Sequence, residues 1–189
     1  VRQRGLHFAL TLCVGLLTKL CLGLLAPRLA RSAPNTNCFQ EQESRLIGTA
    51  RQPEIQKAAD IMMAGDSVIV LQGEYDGRVQ ITTSGSPGAP ITYRTNGKVI
   101  MKGFTIKADY ITIQGFEITD TEDSWSEGQG IFVEGSHCVL EDNYIYFATR
   151  GGILLYASDG NESNTSNCLV RNNRLYRNAM AGISIEGRN

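Results

Sequence analysis

Histidine is nearly absent from this chain of 189 residues, with only His7 and His137 present. A metal site built on several imidazoles, or a Ser-His-Asp hydrolase with a spare histidine, has almost nothing to draw on. Proline, at 5 residues, is too sparse for a collagen-like or proline-rich chain. Acidic residues are missing altogether from residues 1–33, which hold Arg2, Arg4, Lys19, Arg28 and Arg31. The rest of the chain therefore carries 13 basic against 19 acidic residues. That acidic excess speaks against nucleic acid as a partner, which would call for a basic face. With 42% hydrophobic and 20% charged residues, wholesale disorder is excluded as well.

What is present first is an address. Arg2 and Arg4 lead into an apolar run over 6–26, and small residues follow near Ala30 and Ala33. Basic start, apolar middle and small-residue exit predict a secretory signal over 1–33. An uncleaved anchor is the alternative, because the run approaches the length of a membrane span; Lys19 inside it weighs against that. Localisation is then extracellular or periplasmic, or membrane-anchored if the segment stays, with no membrane contact beyond it. Residues 34–52 are polar and predict a linker.

Residues 53–64 predict one short amphipathic helix. Ile55, Ala58, Ala59 and Met62 share a face, Pro53 suits the first turn and Gly65 the stop. No helical pattern follows. Short apolar triplets take over (Val68-Ile69-Val70, Val79-Gln80-Ile81, Ile91-Thr92-Tyr93, Val99-Ile100-Met101), separated by Gly, Asn, Asp and Ser. From Gly103 onward these units align. Gly103-Phe104-Thr105-Ile106 matches Gly130-Ile131-Phe132-Val133, Gly152-Ile153-Leu154-Leu155 and Gly182-Ile183-Ser184-Ile185. A second strand follows at Ile111, Cys138 and Cys168, and a third at Phe116, Asn143 and Asn173. Three strands per repeat, aligned position by position, predict an all-β, parallel β-helix over 53–189 capped by the short helix. A β-sandwich also spaces its strands regularly, but its strands do not align in this way. The last repeat, 182–189, starts a coil without a cap, so the solenoid is expected to be incomplete.

The stretch from Ile55-Gln56-Lys57-Ala58-Ala59 through Gly65-Asp66-Ser67-Val68-Ile69-Val70 to Gly73-Glu74-Tyr75 resembles the opening of right-handed parallel β-helix proteins. So does Ser84-Gly85-Ser86-Pro87-Gly88-Ala89-Pro90-Ile91-Thr92-Tyr93. The likeness is greatest to secreted polysaccharide lyases of the pectate lyase and alginate or chondroitin lyase type. That resemblance implies a right-handed β-helix acting on an acidic polysaccharide by β-elimination, or epimerising it. It is specific for fold and weaker for activity, since binding and catalytic proteins share the opening.

Alternation turns the alignment into a candidate site. On the first strand of each repeat it sends Lys107, Glu134, Tyr156 and Glu186 outward on one line, beside a second line of Thr105, Phe132, Leu154 and Ser184. Loops at 120–129 and 158–166 border that sheet, which predicts a groove between them. Trp125, the single tryptophan, offers a flat ring to a sugar; Tyr156 and Glu186 complete the substrate-binding set. Lyase chemistry needs a cation to neutralise the uronate and a base to take the adjacent proton. Lys107, Arg150 and Glu134 are the candidates for those roles. Asp120, Glu122 and Asp123 offer carboxylate oxygens of the kind Ca²⁺ takes, although without the spacing of a known calcium loop. The plainer expectation for the same line is a solvated face with a weak Lys107–Glu134 ion pair, and a non-catalytic glycan-binding or cell-surface β-helix is the competing function.

Inside the coils, Cys138 and Cys168 fall at equivalent positions and predict stacked core thiols, with a disulfide as the alternative. Asn143 and Asn173 likewise align and predict an internal amide ladder. Asn161 and Asn164 open glycosylation sequons.

Overall fold

The computed structural model describes residues 44–47, 53–157 and 165–187. The expected signal over 1–33, Cys13, Cys21 and Cys38, both sequon asparagines and most of the 158–166 loop lie outside the described residues. So does most of the 34–52 linker, but Ser44–Ile47 within it is a strand, β1, paired parallel with Ser67–Val70. Among the described residues no helix is long and apolar enough to cross a membrane.

The helix α1 (Pro53–Ala59) is shorter than the 53–64 expected. Asp60 N still donates to Gln56 O, but Ile61 N donates to Ala58 O, a tightened last turn, and the chain then bends. The predicted face is nonetheless the one packed: Ile55, Ala58, Ala59 and Met62 are buried, while Ile61 and Met63 stay in water. Gln56 closes the edge of the first coil, donating to Gln80 O and accepting from Gln80 N. Backbone groups that would otherwise invite another strand are thereby satisfied.

Two long strands follow, β2 (Ser67–Ile81) and β3 (Ile91–Ile106). Each runs through all the faces of one coil without a break, so the short triplets expected here are sections of single strands. They pair parallel, with register shifts between Leu71 and Gly73 and between Tyr75 and Arg78. Those irregularities bend the strand where later coils use separate turns. Beyond them the faces part into short strands. Sheet A takes β6 (Ile131–Val133), β9 (Ile153–Ala157) and β12 (Ile183–Gly187) beside 103–106 of β3. Sheet B takes β4 (Ile111–Gln114), β7 (Val139–Glu141) and β10 (Leu169–Arg171). Sheet C takes β5 (Glu117–Ile118), β8 (Tyr144–Tyr146) and β11 (Arg174–Tyr176). Each winding runs B, C, A. Every ladder is parallel, and the pairs Phe104–Ile131, Ile131–Ile153 and Ile153–Ile183 are the alignment read from sequence.

Corners explain the rest of the sequence pattern. Gly115, Asp142 and Asn172 hold positive φ at the B-to-C bend, Asp120, Phe147 and Arg177 after sheet C, and Tyr110, His137 and Asn167 before sheet B. Left-handed backbone recurring at matched positions turns the chain within one residue, and Asn, Asp or Gly fills every such position at the B-to-C bend. The Tyr110 and His137 rings stack at 4.5 Å, one coil on the next.

The core is a set of columns. Ile113, Leu140 and Val170 form one; Ile118, Ile145 and Leu175 another. Cys138 is fully buried and Cys168 partly so, in neighbouring coils as expected, and both are free thiols. The Cys138 thiol donates to the carbonyls of Ala108 and Ser136, and the interaction between the two thiols pushes the Cys168 pKa down. The asparagine ladder is also present. Asn143 Oδ1 accepts from Phe116 N at 3.0 Å, and its amide donates to Ile113 O at 3.1 Å and Asn173 Oδ1 at 3.0 Å. Asn178 does similar work at the next corner, between Ala148 N and Ile145 O. Asn143→Ala is expected to cost about 2–3 kcal/mol in urea denaturation, because it strands buried donors and acceptors. A change under about 0.5 kcal/mol would show the ladder to be dispensable.

Candidate functional site

The outer face of sheet A differs from the open groove that alternation alone predicts. Thr105, Phe132 and Leu154 do point away from the core, and they are buried all the same. The cause is the 120–129 segment, which lies across the sheet instead of standing beside it. Trp125 packs edge-on against Phe132, with ring centroids 5.3 Å apart, and against Tyr156 at 4.7 Å.

Arg78 holds that segment down. Its Nε donates to Thr105 Oγ1 at 2.7 Å, and its terminal nitrogens donate to the carbonyls of Phe104 at 2.6 Å, Gln129 at 2.8 Å and Glu127 at 3.0 Å. A guanidinium has five N–H groups in a fixed fork, and here they tie two strands to the loop. Burial lowers its pKa to about 10, partly offset by the negative charge of Glu122 and Glu127. The loop is also tied internally. Gly128 N donates to Ser124 O, Gln129 Nε2 to Trp125 O, and Gln129 Oε1 accepts from Gly151 N. Thr121 and Thr149 hydroxyls meet at 3.1 Å below it.

The second outward line stays accessible. Lys107 Nζ lies 3.3 Å from Glu134 Oε2, the pairing expected one coil apart. Tyr156 follows Glu134 on the ladder and Glu186 pairs in register with Tyr156. Trp125, 44% exposed, touches the Tyr156 ring from the loop side. The structure therefore brings together Trp125, Tyr156, Glu134 and Lys107, with Glu186 beyond them. It does not bring Arg150 to that line. Arg150 N donates to Gly128 O, and its guanidinium lies 3.9 Å from Met180 Sδ, on the opposite border of the sheet.

Two acidic residues of the loop, Glu122 and Asp120, lie near the Lys102 ammonium. Glu122 Oε1 lies 3.9 Å from Lys102 Nζ, Asp120 occupies a left-handed corner, and Asp123 is exposed. Among the described residues no three carboxylate, imidazole or thiol groups converge as metal ligands. Lys102 is held by Asp76 at 2.9 Å, and that hydrogen bond raises its pKa.

Arg78 is the residue that sequence reasoning missed. It follows Asp76-Gly77, which reads as an ordinary turn, and its partners lie 24 to 51 residues further on.

A three-faced parallel solenoid with one face covered by a tied-down loop is the class these observations define. The chain belongs to the right handed beta helix region family, whose profile matches residues 60–189. It is similar to the uncharacterized protein YwoF of Bacillus subtilis, 31% identical over 135 residues, covering 60% of this chain and 28% of YwoF. Two solved structures share the fold. An alginate lyase from Paenibacillus sp. str. FPU-7 superposes with a TM-score of 0.58 at 18% identity, covering 76% of this chain and 58% of that one. A PL6 family polysaccharide lyase from Pseudopedobacter saltans superposes with a TM-score of 0.57 at 20% identity, covering 77% and 34%. The chain spans between about a quarter and three fifths of the length of these proteins.

Proposed function

We propose that this protein is an exported β-helix that binds an acidic polysaccharide along the accessible edge of sheet A. The observation that carries this reading is the Trp125–Tyr156 contact beside the Lys107–Glu134 pair. Two rings set at 78° to one another offer a sugar a face and a wall. Lys107, 57% exposed, offers a uronate carboxylate a cation, although Glu134 competes for it. Fold likeness to polysaccharide lyases supports the substrate class, and the basic, apolar opening over 1–33 supports export.

The finer reading is lyase-like cleavage by β-elimination, with Lys107 neutralising the uronate and Glu134 taking the proton next to it. A deprotonated carboxylate beside an ammonium can serve as that base once the substrate carboxylate displaces it from Lys107. The second reading is binding without cleavage. Arg150 stands apart from Lys107, so the two cations do not act on one carboxylate, and this favours the non-catalytic alternative.

Trp125 is the only tryptophan, so its fluorescence reports on this site alone. Pectate, alginate and chondroitin are titrated against the protein while absorbance of unsaturated uronate is followed. Quenching with rising absorbance supports cleavage, and quenching alone supports binding. Lys107→Ala, which keeps the fluorophore, is expected to weaken the binding that Trp125 reports at least tenfold. Fluorescence that none of the polymers perturbs would sink the assignment of sheet A.

A further inference from the structure

Sheet C carries another line of rings on its solvent side. Ile118, Ile145 and Leu175 face the core, so alternation turns Tyr144, Tyr146 and Tyr176 outward. The rings are continuous. Tyr144 stacks on Tyr146 at 4.6 Å, Tyr146 meets Phe147 edge-on at 5.6 Å, and Phe147 meets Tyr176 at 6.0 Å. Phe147 is 52% exposed and Tyr176 41%. Phe147 also sits at φ 54°, a backbone region costly for a bulky side chain. A large apolar ring is thus held in water at a corner where Asp120 and Arg177 stand in neighbouring coils.

Two guanidiniums belong to the same surface. Arg174 Cζ lies 4.8 Å from the Tyr144 ring centroid and Arg177 Cζ lies 5.1 Å from that of Tyr176. Among the described residues no carboxylate forms an ion pair with either. A guanidinium resting on a ring is partly desolvated and keeps its planar N–H fork free for a carboxylate. The other end of the face is unlike this one. Lys98 is occupied by Glu117 at 3.2 Å and Lys102 by Asp76 at 2.9 Å. On this face, among the described residues, positive charge outside ion pairs coincides with exposed rings at the Arg174–Arg177 end.

We propose that the outer face of sheet C, from Tyr144 to Arg177, is a second glycan-binding surface for a carboxylate-bearing polysaccharide. Sugar rings lie on Phe147 and Tyr176, and uronate carboxylates pair with Arg174 and Arg177. Tyr176 stands in register on Tyr146, one coil and roughly 4.8 Å away, and both guanidiniums lie on the coil that carries Tyr176, so a linear polymer crossing the two coils meets rings first and cations beside them. The ligand class rests on the polysaccharide reading above; the surface does not. Occupying two faces at once would let one chain hold a polymer by avidity. Single-stranded nucleic acid also stacks on rings and carries anions, and is the competing occupant.

The experiment is electrophoresis of the folded protein through gels containing polygalacturonate or alginate, with Trp125 fluorescence read in parallel. The parent protein is expected to be slowed. The triple variant Arg174→Ala, Arg177→Ala, Tyr176→Ala is expected to be slowed at least tenfold less, while Tyr176→Phe behaves as the parent. Unchanged circular dichroism and thermal midpoint verify that the triple variant is folded. Equal retardation of triple variant and parent overturns the proposal, as does no retardation of the parent. Displacement of the polymer by a lower concentration of polydeoxythymidine overturns it in favour of nucleic acid. Retardation that depends on Arg174 with no change in Trp125 emission removes the sheet A site and leaves this one. Quenching of Trp125 with retardation indifferent to Arg174 does the reverse.

Discussion

Arg78→Ala is expected to lower the free energy of unfolding by about 3–5 kcal/mol and to shift Trp125 emission to the red. The first effect follows from the partners left behind. The carbonyls of Phe104, Glu127 and Gln129 lose a charged donor in a place that water reaches poorly. The second follows from position. Trp125 is held against Phe132 and Tyr156 only while the 120–129 segment lies flat, and Arg78 is what ties that segment to sheet A. Arg78→Lys keeps the charge and loses the fork, so it recovers little of either. Urea denaturation and steady-state fluorescence measure both effects. A red shift without loss of stability would separate loop docking from folding, and no change in either would show the clamp to be idle. Polysaccharide binding at sheet A is expected to fall together with the emission shift, since Trp125 forms one wall of the site.

The other large effect is expected at the glycine column that begins each sheet A strand. A Cβ at Gly130 would stand 2.4 Å from Ile145 Cγ2 and 2.7 Å from the Gly152 carbonyl oxygen. That oxygen accepts the bond from Ile131 N, so it cannot retreat without opening the ladder. Gly130→Val is therefore expected to destabilise by about 4 kcal/mol or more, at the extreme of single substitutions. Gly73, within β2, lacks that crowding. A Cβ there would meet nothing closer than Tyr75 Cε2 at 3.4 Å, an ordinary contact. Gly73→Ala is expected to stay within about 0.5 kcal/mol of the parent. Chemical denaturation of both variants tests the pair. Equal effects would mean that the glycines serve backbone freedom and not the space between coils.

The same column makes the register legible in the amino-acid sequence. Gly103, Gly130, Gly152 and Gly182 each precede an alternating strand, and a one-residue slip would turn every core isoleucine to water. Cys138 with Cys168, and Asn143 with Asn173, are readable for the same reason. The windings of β2 and β3 are harder to read, because Gly73 and Asp76-Gly77 look like turns that end a strand, whereas the strand bends there and runs on. The helix reads too long because Met62 keeps the helical period and is buried, although α1 ends at Ala59. The candidate site is half legible. Alternation places Lys107, Glu134 and Tyr156 on one line. It does not tell whether the 120–129 loop stands beside the sheet or lies on it, because that depends on Arg78, far earlier in the chain. Nor does acidic composition alone show that Glu122 and Asp120 gather near Lys102.

The bends of the solenoid differ in one respect that bears on how such a chain can change. Between sheets B and C every later winding turns in two residues, Gly115-Phe116, Asp142-Asn143 and Asn172-Asn173. The second of each pair faces inward, and the two asparagines are bonded to the coil beside them. An added residue there would break that stack in two coils at once. Between sheets C and A the connection runs from 119 to 130 in one winding and from 147 to 152 in the next. Length can therefore vary only at the seams that border sheet A, and variation there leaves the core columns untouched. Loop grafting and natural insertion are channelled to the rims of one face, so new binding specificities can arise on sheet A while the B–C edge remains a fixed spine.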